Sequence, residues 1–129
     1  LSFPSFSGAL LFLGEGNAAA RLGSLGWLVD CPITYWGDLD PYGFVILDRL
    51  RSHFPHVSSM LMDAATLADY EHLGVTAQRP AECVLPQLSP EERAVANVLY
   101  ERRWSIEQEK IPQLAVAAYL RSMASPRGI

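Results

Sequence analysis

The sequence predicts an α/β domain: a small, mainly parallel sheet flanked by helices, with a helical C-terminal part. Three observations predict it. Short apolar runs alternate with helix-period patterns, the signature of strand–helix–strand units. Half of the 129 residues are hydrophobic and 19% are charged, which suffices for one core and excludes a disordered chain. The run from Ile33 to Tyr42 passes from β-formers straight into a helix start, as happens at the carboxyl edge of a parallel sheet.

Residues 1–8 read as a loop, and Ala9 to Leu13 as a buried strand. Gly14-Glu15-Gly16-Asn17 closes that strand, and Ala18 to Leu28 reads as a short helix. The strand–Gly-x-Gly–helix order falls short of a dinucleotide site, because position 19 is Ala and no later acidic residue suits a ribose. The second strand covers 33–37. Its helix carries Phe44, Leu47, Leu50 and Phe54 at helical spacing and ends at Pro55. A third strand covers 57–62. Asp63 then either stands at the same sheet edge as Asp38 and Asp40 or caps the turn Ala64–Leu67. Leu67 to Leu73 is a short helix before Gly74, and residues 78–88 form a loop with Pro80 and Pro86. Ser89-Pro90-Glu91-Glu92 is a helix start with Ser at the N-cap, Pro at N1 and Glu at N3. Ser105 is expected to open another helix, with Glu107 and Glu109 in its first turn and a break at Pro112.

The chemistry concentrates in Asp38-Leu39-Asp40. On extended backbone, residues i and i+2 point to one face, so both carboxylates aim at one small volume. Two readings fit. Asp40 before Pro41 is a good N-cap, with Asp38 simply solvated. Alternatively the pair holds a divalent cation, which relieves their repulsion.

Other chemistries lack support. The sequence carries no P-loop, no Gly-x-Ser-x-Gly and no Cys–His pair. His53 and His56 flank Phe54-Pro55 at a helix end and have no cysteine nearby, which argues against zinc. Cys31 and Cys83 read as buried free thiols, consistent with a reducing, cytoplasmic compartment. No apolar run approaches the ~20 residues of a membrane span, and no basic stretch precedes apolar residues at the N-terminus as in a signal peptide. The net charge of −4 argues against a free-standing nucleic-acid binder, though not against a nuclease module whose DNA-gripping surface lies on other domains.

The block Tyr35-Trp36-Gly37-Asp38-Leu39-Asp40-Pro41-Tyr42-Gly43-Phe44, continuing through Leu50-Arg51 and Met62-Asp63, resembles a known family. Its core is similar to the Asp-x-Asp motif of Toprim domains, in the form found in the topoisomerase VI A subunit. The longer block resembles the C-terminal Toprim domain of JetD, the nuclease subunit of the Wadjet plasmid-defence systems. Ile106-Glu107-Gln108-Glu109-Lys110-Ile111-Pro112-Gln113 resembles that family's closing motif.

The resemblance implies a DNA endonuclease domain that cleaves plasmid DNA with Mg²⁺ or Mn²⁺ held by Asp38 and Asp40. Glu109 is the further catalytic candidate, favoured over Glu107. The implied partners are double-stranded DNA, SMC-like subunits of the defence complex and, at full length, a second copy of the chain. The family's first-strand Glu precedes a Phe-Leu-x-Phe-Pro run, whose end matches Leu1-Ser2-Phe3-Pro4. Residues 1–129 are therefore expected to be one Toprim-like domain at the C-terminus of a longer chain, with that Glu upstream and Glu15 not its counterpart. The opening Leu1 agrees with this expectation. Two other functional classes stay open: a catalytically inactive module that docks a partner subunit, and a phosphoryl-transfer enzyme of the primase kind.

Overall fold

In the computed structural model, which describes residues 9–11 and 32–124, three short strands form one parallel sheet. They are β1 (Ala9–Leu11), β2 (Ile33–Tyr35) and β3 (Ser58–Ser59), in the order β1-β2-β3. Ala9 lies opposite Ile33, and Thr34 opposite Ser58. The expected parallel arrangement is thus present, with shorter strands. Met60 N–H still bonds the Tyr35 carbonyl (3.0 Å), but Leu61 then adopts a left-handed backbone (φ 55°) and turns the chain out of the sheet. The Gly14–Gly16 turn, the 18–28 helix and Cys31 lie outside the described residues.

Between β2 and β3 runs α1 (Pro41–His53), capped by Asp40 and started by Pro41. After β3, Asp63 caps α2 (Ala64–Tyr70) by accepting from the Thr66 amide (2.9 Å) and hydroxyl (2.6 Å), so its capping role holds. A 3₁₀ turn (Glu71–Leu73) leads to β4 (Val75–Thr76). Helix α3 (Pro90–Arg102) opens with a capping box in which Ser89 and Glu92 bond each other's backbone. It ends at Arg103, a left-handed C-cap (φ 52°).

The next segment corrects the sequence reading. Ser105 does not open a helix. Trp104–Ser105 is a strand, β5, antiparallel to β4. An aromatic followed by Ser and β-branched Ile106 suits extended backbone, and tertiary pairing outweighed the acidic helix-start signal. Glu107 to Lys110 contributes only a 3₁₀ turn (Gln108–Lys110), and α4 (Gln113–Ala124) begins after Pro112.

Neighbouring residues at the end of β2 feed two cores. Tyr35 joins Ile33, Leu39, Phe44, Leu47 and Leu99 on the side of α1 and α3. Trp36 joins Met60, Ile111, Val116 and Leu120 on the side of α4. Consecutive extended residues face opposite ways, so the sheet is covered on both faces. The helices are tied by a half-buried ion pair: Arg51 of α1 forks onto both oxygens of Glu92 in α3, while Ser59 of β3 donates to Glu92 (2.6 Å). Cys83, expected to be buried, is exposed, because it sits in the proline-flanked loop between β4 and α3 rather than in either core.

Candidate metal centre

The two carboxylates stand where β2 gives way to α1. Between them, Leu39 is fully buried and exchanges two backbone bonds with Ile106: Leu39 N–H to Ile106 O (2.9 Å) and Ile106 N–H to Leu39 O (3.1 Å). With Leu39 driven into the core, its neighbours Asp38 and Asp40 are turned the other way and stay half-buried.

Each carboxylate is fixed by named donors. Asp40 Oδ1 accepts the Gly43 amide (2.8 Å), the N-cap bond of α1. Asp40 Oδ2 accepts the Ser105 hydroxyl (2.9 Å). Asp38 Oδ1 accepts the Gln108 amide (2.8 Å). Two glycines make the approach possible. A Cβ on Gly43 would overlap the Asp38 carbonyl oxygen, and one on Gly37 would overlap the Tyr35 hydroxyl. Tyr35 lies beneath the pair and donates to the Gly43 carbonyl (3.3 Å).

The electrostatics reflect this crowding. Burial pushes the Asp40 carboxyl above its ordinary value; the Gly43, Ser105 and Tyr42 donors oppose that rise, and the Asp38 charge adds to it. Burial, then the Asp38 and Asp40 charges, also raise the Tyr35 phenol well above its ordinary range. A cation beside the pair would relieve a carboxylate that its surroundings disfavour as an anion.

The donor set suits a hard cation. Each carboxylate oxygen has two lone pairs, so the bonds from Gly43, Tyr42 and Ser105 leave Asp40 with acceptor capacity. Mg²⁺ is held by one or two carboxylates together with water and phosphate oxygens. Among the described residues, no three His, Cys, Asp or Glu side chains converge as a metal-binding group. Asp63 takes both Thr66 donors of its cap on Oδ1 and is exposed. Glu109 is exposed, one residue beyond the amide that binds Asp38. The closing segment thus reaches the pair through Ser105 and the Gln108 backbone. Neither was foreseen. The extended Trp104-Ser105-Ile106 pattern was the available signal, and a backbone amide leaves none.

A parallel α/β sheet whose central strand ends in paired carboxylates, continuing into a capped helix, defines a domain of the kind that binds ligands at the carboxyl edge of its strands. The family model for the C-terminal region of the Wadjet protein JetD matches residues 1–120, and the chain belongs to that family. Membership makes it related to a component of a Wadjet defence system. No curated protein matches the chain. Among the described residues, no helix is long and apolar enough to cross a membrane.

Proposed function

We propose that this chain is the Toprim-like domain of a divalent-metal-dependent DNA endonuclease that cleaves plasmid DNA, with Asp38 and Asp40 as its metal-binding carboxylates. The observation that carries the proposal is the Asp38–Leu39–Asp40 pair, turned out from the end of the central strand. Family membership and the Toprim-like motif support it. Bound Mg²⁺ or Mn²⁺ would supply charge stabilisation at the phosphate and orient water or the leaving oxygen.

The chain's own residues do the holding. Leu39 anchors the loop in the core, while Ser105 and Gln108 fix the carboxylates. Glu109, exposed on the neighbouring turn, would act from the DNA side. With a net charge of −4, the chain would leave the bulk of phosphate binding to partners, a second copy of the chain and SMC-like subunits of the defence complex among them. An enzyme acting on plasmid DNA would work in the cytoplasm.

The test is cleavage of supercoiled plasmid by the full-length protein with Mg²⁺ or Mn²⁺. Activity that needs the metal and is lost in Asp38→Ala supports the endonuclease. Wild-type protein that assembles with its partners, yet neither binds metal nor cuts, would instead be an inactive docking module.

A further inference from the structure

We infer that Ser105 is the positioning residue of this centre: its hydroxyl locks the Asp40 carboxylate in the orientation that lets it bind a divalent cation together with Asp38. The inference rests on the metal-binding reading of that pair.

Asp40 carries two tasks. Its Oδ1 caps α1 through the Gly43 amide. A carboxylate turns through a broad two-fold well about its last torsion, so a donor on its second oxygen narrows the orientation that the Gly43 and Tyr42 amides begin to set. The Ser105 hydroxyl fixes that oxygen at 2.9 Å.

Ser105 can do this because it is itself immobilised. It is only 8% exposed. Its strand pairs with β4, opposite Val75. The next residue, Ile106, is fully buried and bonded twice to Leu39, the residue between the two aspartates. Two residues further on, the Gln108 amide takes Asp38. One segment therefore fixes both carboxylates in register, although it lies 65 and 70 residues from them in sequence. A one-residue slip of Ile106 against Leu39 would reverse the facing of this segment and remove the hydroxyl from Asp40. Ser105 is a partner of a ligand rather than a ligand, and such partners typically govern metal affinity by about 10–100-fold.

The experiment titrates Mn²⁺ into the full-length protein, followed by the electron paramagnetic resonance of free Mn²⁺. Wild type, Ser105→Ala, Ser105→Thr and Asp38→Ala are compared. Ser105→Ala should weaken binding by about tenfold or more. The Mn²⁺ concentration for half-maximal plasmid cleavage should rise in proportion, with the rate at saturating metal little changed. Ser105→Thr, which keeps the hydroxyl, should bind nearly as wild type does.

Unchanged affinity in Ser105→Ala, beside wild-type binding that Asp38→Ala abolishes, overturns the role of Ser105 and leaves the metal centre standing. A threonine variant as weak as the alanine one also overturns it, since packing rather than the hydroxyl would then matter. Wild type that does not bind Mn²⁺ overturns both readings. Should Ser105→Ala fail to fold, Ser105→Cys, near-isosteric with a weaker donor, carries the same comparison.

Discussion

The Gln108 amide donates to Asp38 Oδ1 at 2.8 Å, joining residues 70 positions apart. This bond and the paired Leu39–Ile106 backbone make the end of the central strand a junction between the parallel sheet and the C-terminal segment. Anything that shifts the closing segment therefore shifts Asp38.

Asp40→Asn should separate stability from metal binding. Asn caps a helix as well as Asp does, so the Gly43 bond survives. The wild-type carboxyl is raised above its ordinary 3.8, chiefly by burial. A raised carboxyl means that the folded state binds the proton more tightly, so its ionisation costs stability as pH rises through the folded value. The Asn variant escapes that cost. At pH 7 it should be more stable in urea unfolding, and the gain should shrink as pH falls through the raised folded-state value and be gone below the ordinary 3.8. Mn²⁺ binding should fall. A destabilised variant at pH 7 would contradict this account.

Gly43→Ala should damage both fold and centre. Its Cβ would press on the Asp38 carbonyl, a backbone atom with little room to yield. Overpacking of this kind costs about 1–3 kcal/mol. The displaced Asp38 should bind Mn²⁺ less tightly; urea unfolding reads the first effect and calorimetric titration the second.

Glu92 links α3 to α1 and β3, and its removal should be severe. Burial alone would raise its carboxyl. The Arg51, Ser59 and Ser89 bonds and the Arg51 charge reverse that and hold it at about 2, against an ordinary 4.5. Its contribution is therefore present above pH 4.5 and is lost as pH falls from 4.5 towards 2. Glu92→Ala should cost about 1–3 kcal/mol at pH 7, because it leaves a half-buried Arg51 with only the Val57 and Gln87 carbonyls as partners. It should also flatten the pH dependence of stability in that window, measured by denaturant unfolding at successive pH values.

Arg103→Gly should stabilise. Arg103 is exposed and left-handed at the end of α3, a conformation that costs any side chain and that glycine adopts freely. The expected gain is about 0.5–1 kcal/mol, with plasmid cleavage unchanged. No gain would mean that its side chain makes a compensating contact.

Glu109→Gln tests the last site residue. Plasmid cleavage by the full-length protein should fall about tenfold, or 1.4 kcal/mol of barrier. The melting temperature should hold, because Glu109 is exposed. Full activity would assign Glu109 to the solvated surface.

What the sequence determined on its own is local. Pro41 after Asp40 and Ser89-Pro90 with Glu92 fix where helices begin, because a cap depends on residues three or four apart; at Asp63 the helix begins at Ala64, three residues before the expected Leu67. The alternation of apolar runs with helical patterns indicated that β1, β2 and β3 run parallel, and the i, i+2 spacing that Asp38 and Asp40 share one side of Leu39. Tertiary structure decided the rest. It made Trp104–Ser105 a strand, ended β3 at a left-handed Leu61, and left Cys83 exposed. It also brought Ser105 and the Gln108 amide to the carboxylates. The physical reason is that a backbone amide carries no side-chain signature. Its partner is chosen by chain segments that meet only after the two cores have formed around Tyr35 and Trp36.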